Sequence, residues 1–279
     1  MVVQDLRQKL HNILKEKEDF VFESDIIISH VTGKSKHSWL LQHEVSNKIS
    51  TECIDLAKKR ASGKPLQYLI SEWEFYGIPI KVGKGVLIPR ADTEILIDVA
   101  LKLANSNAQI IDLCTGSGCI SAAIAQNLPN SHITSIELSA QAISYARTNL
   151  LPFRNNVEIL NYDVLNKTTP AKFQNVDIIV CNPPYLTLKD MSNLQDEVKF
   201  EPSIALYGGS DGLLFYKQIS KIWRKSLKKD GWIIFEIGYT QKLDVLNILK
   251  QNGFINTKSI KDLSGNDRVV IGQNPTHYN

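Results

Sequence analysis

No apolar run in this sequence approaches the length that crosses a bilayer. The longest, such as Ile26-Ile27-Ile28 and Trp232-Ile233-Ile234-Phe235, stop within a few residues, whereas a spanning helix needs about 20. The opening Met1-Val2-Val3-Gln4-Asp5 lacks the basic-then-apolar order of a signal peptide. No membrane association is expected, and the cytoplasm is the expected compartment. Cysteine is scarce: Cys53, Cys114, Cys119 and Cys181 are the four, none in Cys-x-x-Cys spacing, and the six histidines are scattered. That excludes a disulfide framework and gives no metal-ligand cluster, so no metal is expected. Concentrated positive charge is also missing. The net charge is +3, and residues 1–75 carry eleven basic and eleven acidic side chains. Non-specific nucleic-acid binders rely on a basic block or stripe, so no direct nucleic-acid partner is expected. Repeats and low-complexity segments are absent.

What is present is ordinary globular material, 43% hydrophobic and 22% charged over 279 residues. That is enough for one large domain with a smaller one beside it. Residues 1–70 show helical spacing. Leu6, Leu10, Ile13 and Leu14 form one face of a first helix. Ser24-Asp25 is placed to cap a second, which carries Ile26 to Val31 and stops near Gly33. Further helices include Trp39-Leu40-Leu41 and the run with Ile49, Ile54 and Ala57. Residues 71–90 change pattern: 73–82 and 86–88 read as two strands around Gly83-Lys84-Gly85, a hairpin linking the domains.

From 91 to 279 strands and helices alternate. Asp92-Thr93-Glu94 opens a helix, and candidate strands lie at 109–113, 133–137, 157–160, 176–181 and 232–237, each followed by a helical or loop segment. That rhythm builds parallel βαβ units. Two closing strand-like runs, 254–261 and 268–271, suggest an antiparallel pair. The fold expected is Rossmann-like α/β with a small all-α N-terminal domain.

The first strand-to-helix turn is Asp112-Leu113-Cys114-Thr115-Gly116-Ser117-Gly118. Its glycines let backbone approach a ligand and leave helix N–H groups free. The dinucleotide pattern Gly-x-Gly-x-x-Gly fails at Ser121, which weakens a nicotinamide oxidoreductase, and no P-loop lysine follows. Glu137 ends the next strand, where a carboxylate suits a ribose diol. Asp163 follows the third strand, placed for an adenine edge. Asp112 and this set fit S-adenosyl-L-methionine better than a dinucleotide.

Asn182-Pro183-Pro184-Tyr185 ends the strand at 176–181, and two prolines force the chain out of the sheet there. In open α/β sheets that edge binds ligands. A planar NH2 has a delocalised lone pair and two N–H donors. The Asn182 side-chain oxygen and the Pro183 carbonyl are two acceptors for it, and Tyr185 can stack on the planar group. Orienting the nitrogen at a sulfonium methyl would then carry catalysis. The acceptor is an amide or an exocyclic base amine; these four residues leave that open. A non-catalytic binding protein retaining the pocket is a further alternative.

Asn182-Pro183-Pro184-Tyr185 with the Asp-x-x-Thr-Gly-Ser-Gly turn resembles the class I S-adenosylmethionine-dependent amino methyltransferases. Four segments narrow the resemblance: Gly63-Lys64-Pro65-Leu66-Gln67-Tyr68, residues 87–94 (Leu-Ile-Pro-Arg-Ala-Asp-Thr-Glu), 200–206 (Phe-Glu-Pro-Ser-Ile-Ala-Leu) and 262–272 (Asp-Leu-Ser-Gly-Asn-Asp-Arg-Val-Val-Ile-Gly). Together they are similar to the HemK/PrmC family, the peptide chain release factor N(5)-glutamine methyltransferases. The resemblance implies a seven-stranded class I methyltransferase sheet. It implies an acceptor glutamine in the Gly-Gly-Gln motif of class I release factors and an N-terminal domain that helps hold them. It also implies that Cys114, Thr115, Gly116, Ser117, Gly118, Glu137 and Val164 border the cofactor while Asn182 to Tyr185 grip the glutamine amide. A monomer is expected. An adenine or guanine amino methyltransferase, which shares Asn-Pro-Pro-Tyr, is the alternative. Three positions depart from the family pattern: Cys114 stands for glycine, Glu137 for aspartate, and Ala91 for the proline after Arg90.

Overall fold

A computed structural model describes residues 1–275, and the chain divides into two compact units. The first comprises Met1–Glu72 with Gln195–Phe200; the second holds Trp73–Leu194 and the chain from Glu201 onward.

The first unit is helical: α1 (Val3–Leu14), α2 (Phe20–Thr32), α3 (Lys36–Leu40), α4 (Asn47–Ala61) and α5 (Leu66–Ile70). The heptad-like face of α1, Leu6, Leu10 and Leu14, packs with Ile27, Ile28, Trp39, Cys53 and Ala57 in one core. Each such buried aliphatic side chain contributes about 1.5–3 kcal/mol of transfer free energy. Ser35 and Ser46 cap α3 and α4 by accepting from the N–H groups of Ser38 and Ile49. Gly33 ends α2 at φ 65°, a left-handed conformation that suits glycine.

The start of α2 differs from the sequence reading. Ser24 and Asp25 lie inside the helix, not at its cap. The Ser24 hydroxyl donates to the Phe20 carbonyl at 2.7 Å, and Asp25 accepts from Arg7 at 2.6 Å and pairs with Lys36 at 2.7 Å. Those partners satisfy the carboxylate without a cap. Residues 195–200 are held to this unit by charge: Glu197 meets Arg60 at 2.7 Å and Lys17 at 3.3 Å. Arg60 is buried and also meets Glu23 at 2.7 Å.

The hairpin lies earlier than expected. It pairs β1 (Glu72–Phe75) with β2 (Ile78–Lys81) through Tyr76 and Gly77. Both turn residues have positive φ, 53° and 73°, as a type I′ turn requires. Gly83 and Gly85 serve close approach instead. A Cβ on Gly83 would sit 2.3 Å from the Tyr145 hydroxyl, and one on Gly85 would sit 2.6 Å from Gln141.

The second unit is built on a sheet of β3 (Gln109–Leu113), β4 (His132–Glu137), β5 (Val157–Asn161), β6 (Val176–Cys181), β7 (Leu227–Glu236), β8 (Ile255–Lys261) and β9 (Asp267–Gln273). The helices are α6 (Glu94–Leu103), α7 (Cys119–Asn127), α8 (Ala140–Leu150), α9 (Leu188–Ser192), α10 (Leu214–Ile222) and α11 (Lys242–Gln251). Strand order is β5-β4-β3-β6-β7-β9-β8, and only β9 runs against its neighbours. This is the seven-stranded, Rossmann-like sheet that the resemblance implies. The chain steps from β3 outward to β5, then returns to pair β6 on the other side of β3. That reversal is a topological switch point, and the crevice outside it is the natural ligand site. The central strands are continuous β-branched runs because both faces are covered; Ile111, Ile179, Ile233 and Phe235 pack with Tyr216, Trp223 and Leu249.

Candidate active site

A cavity of about 200 Å³ lies at the switch point. Each of four adjacent strands delivers a segment to its wall: Cys114 to Ser117 after β3, Glu137 to Ser139 after β4, Asp163 to Leu165 after β5, and Asn182 with Pro184 after β6. Arg90, Thr93, Pro202 and Ile204 line the remainder.

The turn after β3 is held by left-handed residues. Cys114, Gly116 and Gly118 have φ of 60°, 58° and 82°, which is why glycine is favoured at these places. A Cβ on Gly118 would also press Leu150 at 3.0 Å. Glu137 fastens the turn from the next strand. One carboxylate oxygen accepts from Gly116 N–H at 2.9 Å, and the other accepts from Leu138 and Ser139 N–H at 2.8 Å each. Asp163 accepts from Leu165 N–H at 2.8 Å. Val164 is fixed through its carbonyl, which accepts from the Trp223 indole at 2.9 Å.

Asp112 departs from its expected place. It is fully buried and does not line the cavity. The Ser121 hydroxyl donates to it at 2.7 Å and the Thr115 hydroxyl also donates to it. Its other oxygen has no partner among the described residues, and burial pushes the carboxyl up to about 6. Asp112 therefore organises the turn from beneath; a direct ligand contact does not fit its burial. The Ser121 that breaks the dinucleotide pattern has a positive task here, joining Asp112 to Ser135 at 2.7 Å.

The second half of the wall is the tetrad after β6. Asn182 and Pro184 face the cavity, whereas Pro183 and Tyr185 do not line it. Tyr185 packs on the core, with its ring 3.5 Å from the place of a Cβ on Gly238. Stacking of Tyr185 on a group inside this cavity is thus not what the geometry offers. Burial raises its phenol to about 12. The tetrad is braced from behind: Leu186 N–H donates to the Leu206 carbonyl and Gly208 N–H to the Leu186 carbonyl, both at 2.8 Å. Gly208 and Gly212 are required, since a Cβ at either would meet tetrad backbone at 2.6 Å and 2.4 Å.

Several residues on this side were not among the site residues expected from the sequence. Glu201 is buried, accepts from Ile88 N–H at 3.0 Å and pairs with Arg90, joining residues 87–94 to 201–206 over the cavity. Asn149 donates to the Lys81 and Ser117 carbonyls at 3.0 Å and 2.8 Å, tying β2 to the turn. Thr93 receives the Asn182 amide at 3.3 Å. Glu236, ending β7, sits close enough to Thr93 and Asn182 for both to favour its charged form. The signal for Glu236 and Asn149 is the same: a polar residue on an otherwise apolar, inward-facing run.

The donor set fits S-adenosyl-L-methionine. Glu137 and Asp163 are the acidic groups of the wall, and its cation, Arg90, is already paired with Glu201. Such a wall favours a sulfonium and ammonium over a pyrophosphate. Two backbone donors occupy one Glu137 oxygen, and the oxygen that accepts from Gly116 alone keeps an acceptor site for the ribose. Among the described residues no group of three or more His, Cys, Asp or Glu is arranged to hold a metal.

Comparison with known proteins agrees with this geometry. A family model described as PrmC N-terminal domain matches residues 5–70, and one described as methyltransferase small domain matches residues 91–198. The release factor glutamine methyltransferase of Fusobacterium nucleatum is 41% identical over 91% of this chain and 72% of its own length. Those of Thermodesulfovibrio yellowstonii and Clostridium acetobutylicum are 39% and 35% identical, covering 95% and 97% of this chain and 96% and 98% of theirs. Among solved structures, the human Mettl16 catalytic domain bound to an RNA hairpin gives a TM-score of 0.59 at 17% identity, covering 81% of this chain and 83% of that one. A Pyrococcus furiosus methyltransferase gives 0.53 at 18% identity, covering 72% and 91%. At such identities these two speak for the fold alone.

Proposed function

The chain belongs to the release factor glutamine methyltransferases, and from that membership we propose its reaction and the residues that carry it. It is an S-adenosyl-L-methionine-dependent methyltransferase acting on the side-chain amide nitrogen of a release factor glutamine, the one in the Gly-Gly-Gln motif of class I release factors. The observation that carries the assignment of residues is that Asn182 shares one cavity wall with Glu137 and the glycine turn. When bound, the cofactor supplies a sulfonium methyl open to in-line displacement.

The chain's own residues bind, orient and relieve charge. Glu137 takes the ribose diol while main-chain N–H groups fix its carboxylate. Gly116 allows close approach, and Asp163 and Val164 flank the adenine. On the acceptor side, Asn182 Oδ1 and the Pro183 carbonyl accept the two amide N–H groups. An amide nitrogen is a weak nucleophile because its lone pair is delocalised. Two acceptors aimed at its hydrogens stabilise the positive charge that grows on nitrogen during attack. Holding it in line removes much of the entropic barrier. No histidine or cysteine base is invoked; the proton leaves after the methyl arrives. Pro183 and Pro184 keep the acceptors rigid, and Tyr185 supports the loop.

The helical unit is assigned to holding the release factor, and the protein is read as a cytoplasmic monomer with no direct nucleic-acid partner. Among the described residues no helix is long and apolar enough to cross a membrane. The test is mass spectrometry of class I release factors after incubation with the protein and S-adenosyl-L-methionine. One methyl on the Gly-Gly-Gln glutamine is the expected result. Labelled methyl appearing only in RNA or DNA would instead support the base-amine alternative.

A further inference from the structure

The acceptor side contains a carboxyl group that the reaction, as described, leaves idle. Glu236 is the last residue of β7 and is 2% exposed. Phe235 pairs in register with Cys181 of β6, so Glu236 comes level with Asn182 as the two strands end. Its carboxyl sits close enough to the Thr93 hydroxyl and the Asn182 amide for both to favour its charged form. The Asn182 Nδ2 also approaches Thr93 Oγ1 at 3.3 Å. Glu236 Oε2 has no partner among the described residues.

An acid at this place decides something Asn182 cannot decide alone. The two ends of a primary amide are nearly alike in size, so shape alone lets either face the substrate. Their chemistry is opposite. The Oδ1 end accepts and can hold an NH2; the Nδ2 end donates and would meet the substrate's N–H donors head on. A carboxylate has no hydrogen to give, so it draws Nδ2 toward itself and leaves Oδ1 on the far side. Thr93 reinforces this by accepting from Nδ2 while its own hydrogen is free for the carboxylate.

We propose that Glu236 is a positioning residue that fixes the Asn182 amide end for end, keeping Oδ1 turned toward the substrate NH2; this rests on the functional reading above. Burial pushes Glu236 up to about 7, with Thr93 and Asn182 hydrogen bonds and Arg268 of β9 opposing the rise and Asp92 adding to it. The other titratable neighbours, the phenols of Tyr185 and Tyr216 and the thiol of Cys119, are raised further by burial and stay neutral near pH 7. Above about 7 the carboxylate only accepts, and Nδ2 is held. Below it, the protonated acid can donate to Oδ1 and reverse the amide. Turnover should therefore rise with pH through neutrality, and the limb belongs to Glu236.

The experiment uses the full chain, as wild type, Glu236→Gln and Glu236→Asp, with an intact release factor as substrate. Glu236→Gln should lower kcat roughly 10- to 100-fold, the range for removing a partner that orients a functional group. Calorimetric affinity for S-adenosyl-L-methionine should stay within about twofold, because the cofactor residues are untouched. The neutral limb of the pH profile should vanish in Glu236→Gln, and Glu236→Asp should restore part of it. The side-chain amide NMR signal of Asn182, read without any substrate, should titrate near neutrality in wild type only. Wild-type kcat and pH profile in Glu236→Gln would overturn the positioning role while leaving the functional reading intact. Failure of the wild type to methylate glutamine would instead strike that reading. In that case the Asn182 signal still decides the coupling: no titration in wild type overturns it.

Discussion

Glu137 ends β4 and Glu236 ends β7, with β3 and β6 between them in one sheet, and the two carboxyl groups are held by opposite means. Glu137 is held by three main-chain N–H groups at 2.8–2.9 Å. Glu236 is buried, faces side chains, and keeps one oxygen without a partner among the described residues. A carboxylate fixed by backbone is as rigid as the fold, which suits the cofactor contact proposed for Glu137. A carboxyl surrounded by side chains is adjustable and costly, as an unsatisfied buried acceptor is. The difference locates the sensitive half of the site on the acceptor side.

The largest way to break that contrast is Asn182→Ala. It removes an acceptor aimed at developing charge, so turnover should fall about 10²- to 10³-fold. Cofactor affinity should change by less than about tenfold, since Asn182 is not what fastens Glu137. Single-turnover methylation and calorimetry separate the two quantities. Unchanged turnover would remove Asn182 from the mechanism.

The next effect concerns stability and pH. Glu236 is raised from 4.5 to about 7 in the fold, so the folded state holds its proton more tightly than the unfolded chain. Below 4.5 both states are protonated and nothing is lost. As pH rises the unfolded chain ionises first, and stability falls until the folded group titrates near 7. The loss is on the order of 3 kcal/mol. Asp112, raised from 3.8 to about 6 by burial, acts in the same direction. Glu236→Gln should cancel its own share, so denaturant midpoints of variant and wild type should diverge between weakly acidic and neutral pH. Parallel curves would show that Glu236 is not perturbed by its burial.

A smaller change tests the backbone-built half. Gly116→Val places a β-branched residue at φ 58° in the turn whose N–H Glu137 accepts. The left-handed strain alone costs about 1–2 kcal/mol, and part of it should appear as weaker cofactor binding, roughly tenfold by calorimetry. Turnover at saturating cofactor should suffer less than in Asn182→Ala. The reverse order would mean the two halves are not separable.

How much of this was legible in the sequence follows the same division. Parallel strands announce themselves by β-branched runs stopped by turn residues, and β3, β4 and β6 lie within a residue of where the pattern puts them. The hairpin was displaced because Gly83 and Gly85 look like a turn, while Tyr76 at φ 53° does not. Ser24-Asp25 mimics a cap, since no local pattern reveals that Arg7 and Lys36 reach Asp25 within the helix. Glycines and strand-end polar residues carry local signatures, so the placing of Glu137, Asp163 and Asn182 on the cavity wall was readable. Glu236 and Asn149 were not. Their task depends on which strand or helix stands beside them, and strand order is a property of the fold, not of any segment.

Cys114→Gly is the smallest change and the sharpest test of the backbone half. Cys114 occupies φ 60°, where a side chain costs roughly 1–2 kcal/mol and glycine nothing. Against this, glycine loses the packing of a half-buried thiol on the core beside Cys181. Glycine also adds freedom to the unfolded chain, by about 0.5–1 kcal/mol. The terms nearly cancel, so the melting temperature should move by only a few degrees for a change within about 1 kcal/mol. Cofactor affinity should stay within about threefold, because Glu137 still fixes the turn through Gly116. A large gain in affinity would mean that the Cys114 side chain, and not the backbone, limits how the ligand sits.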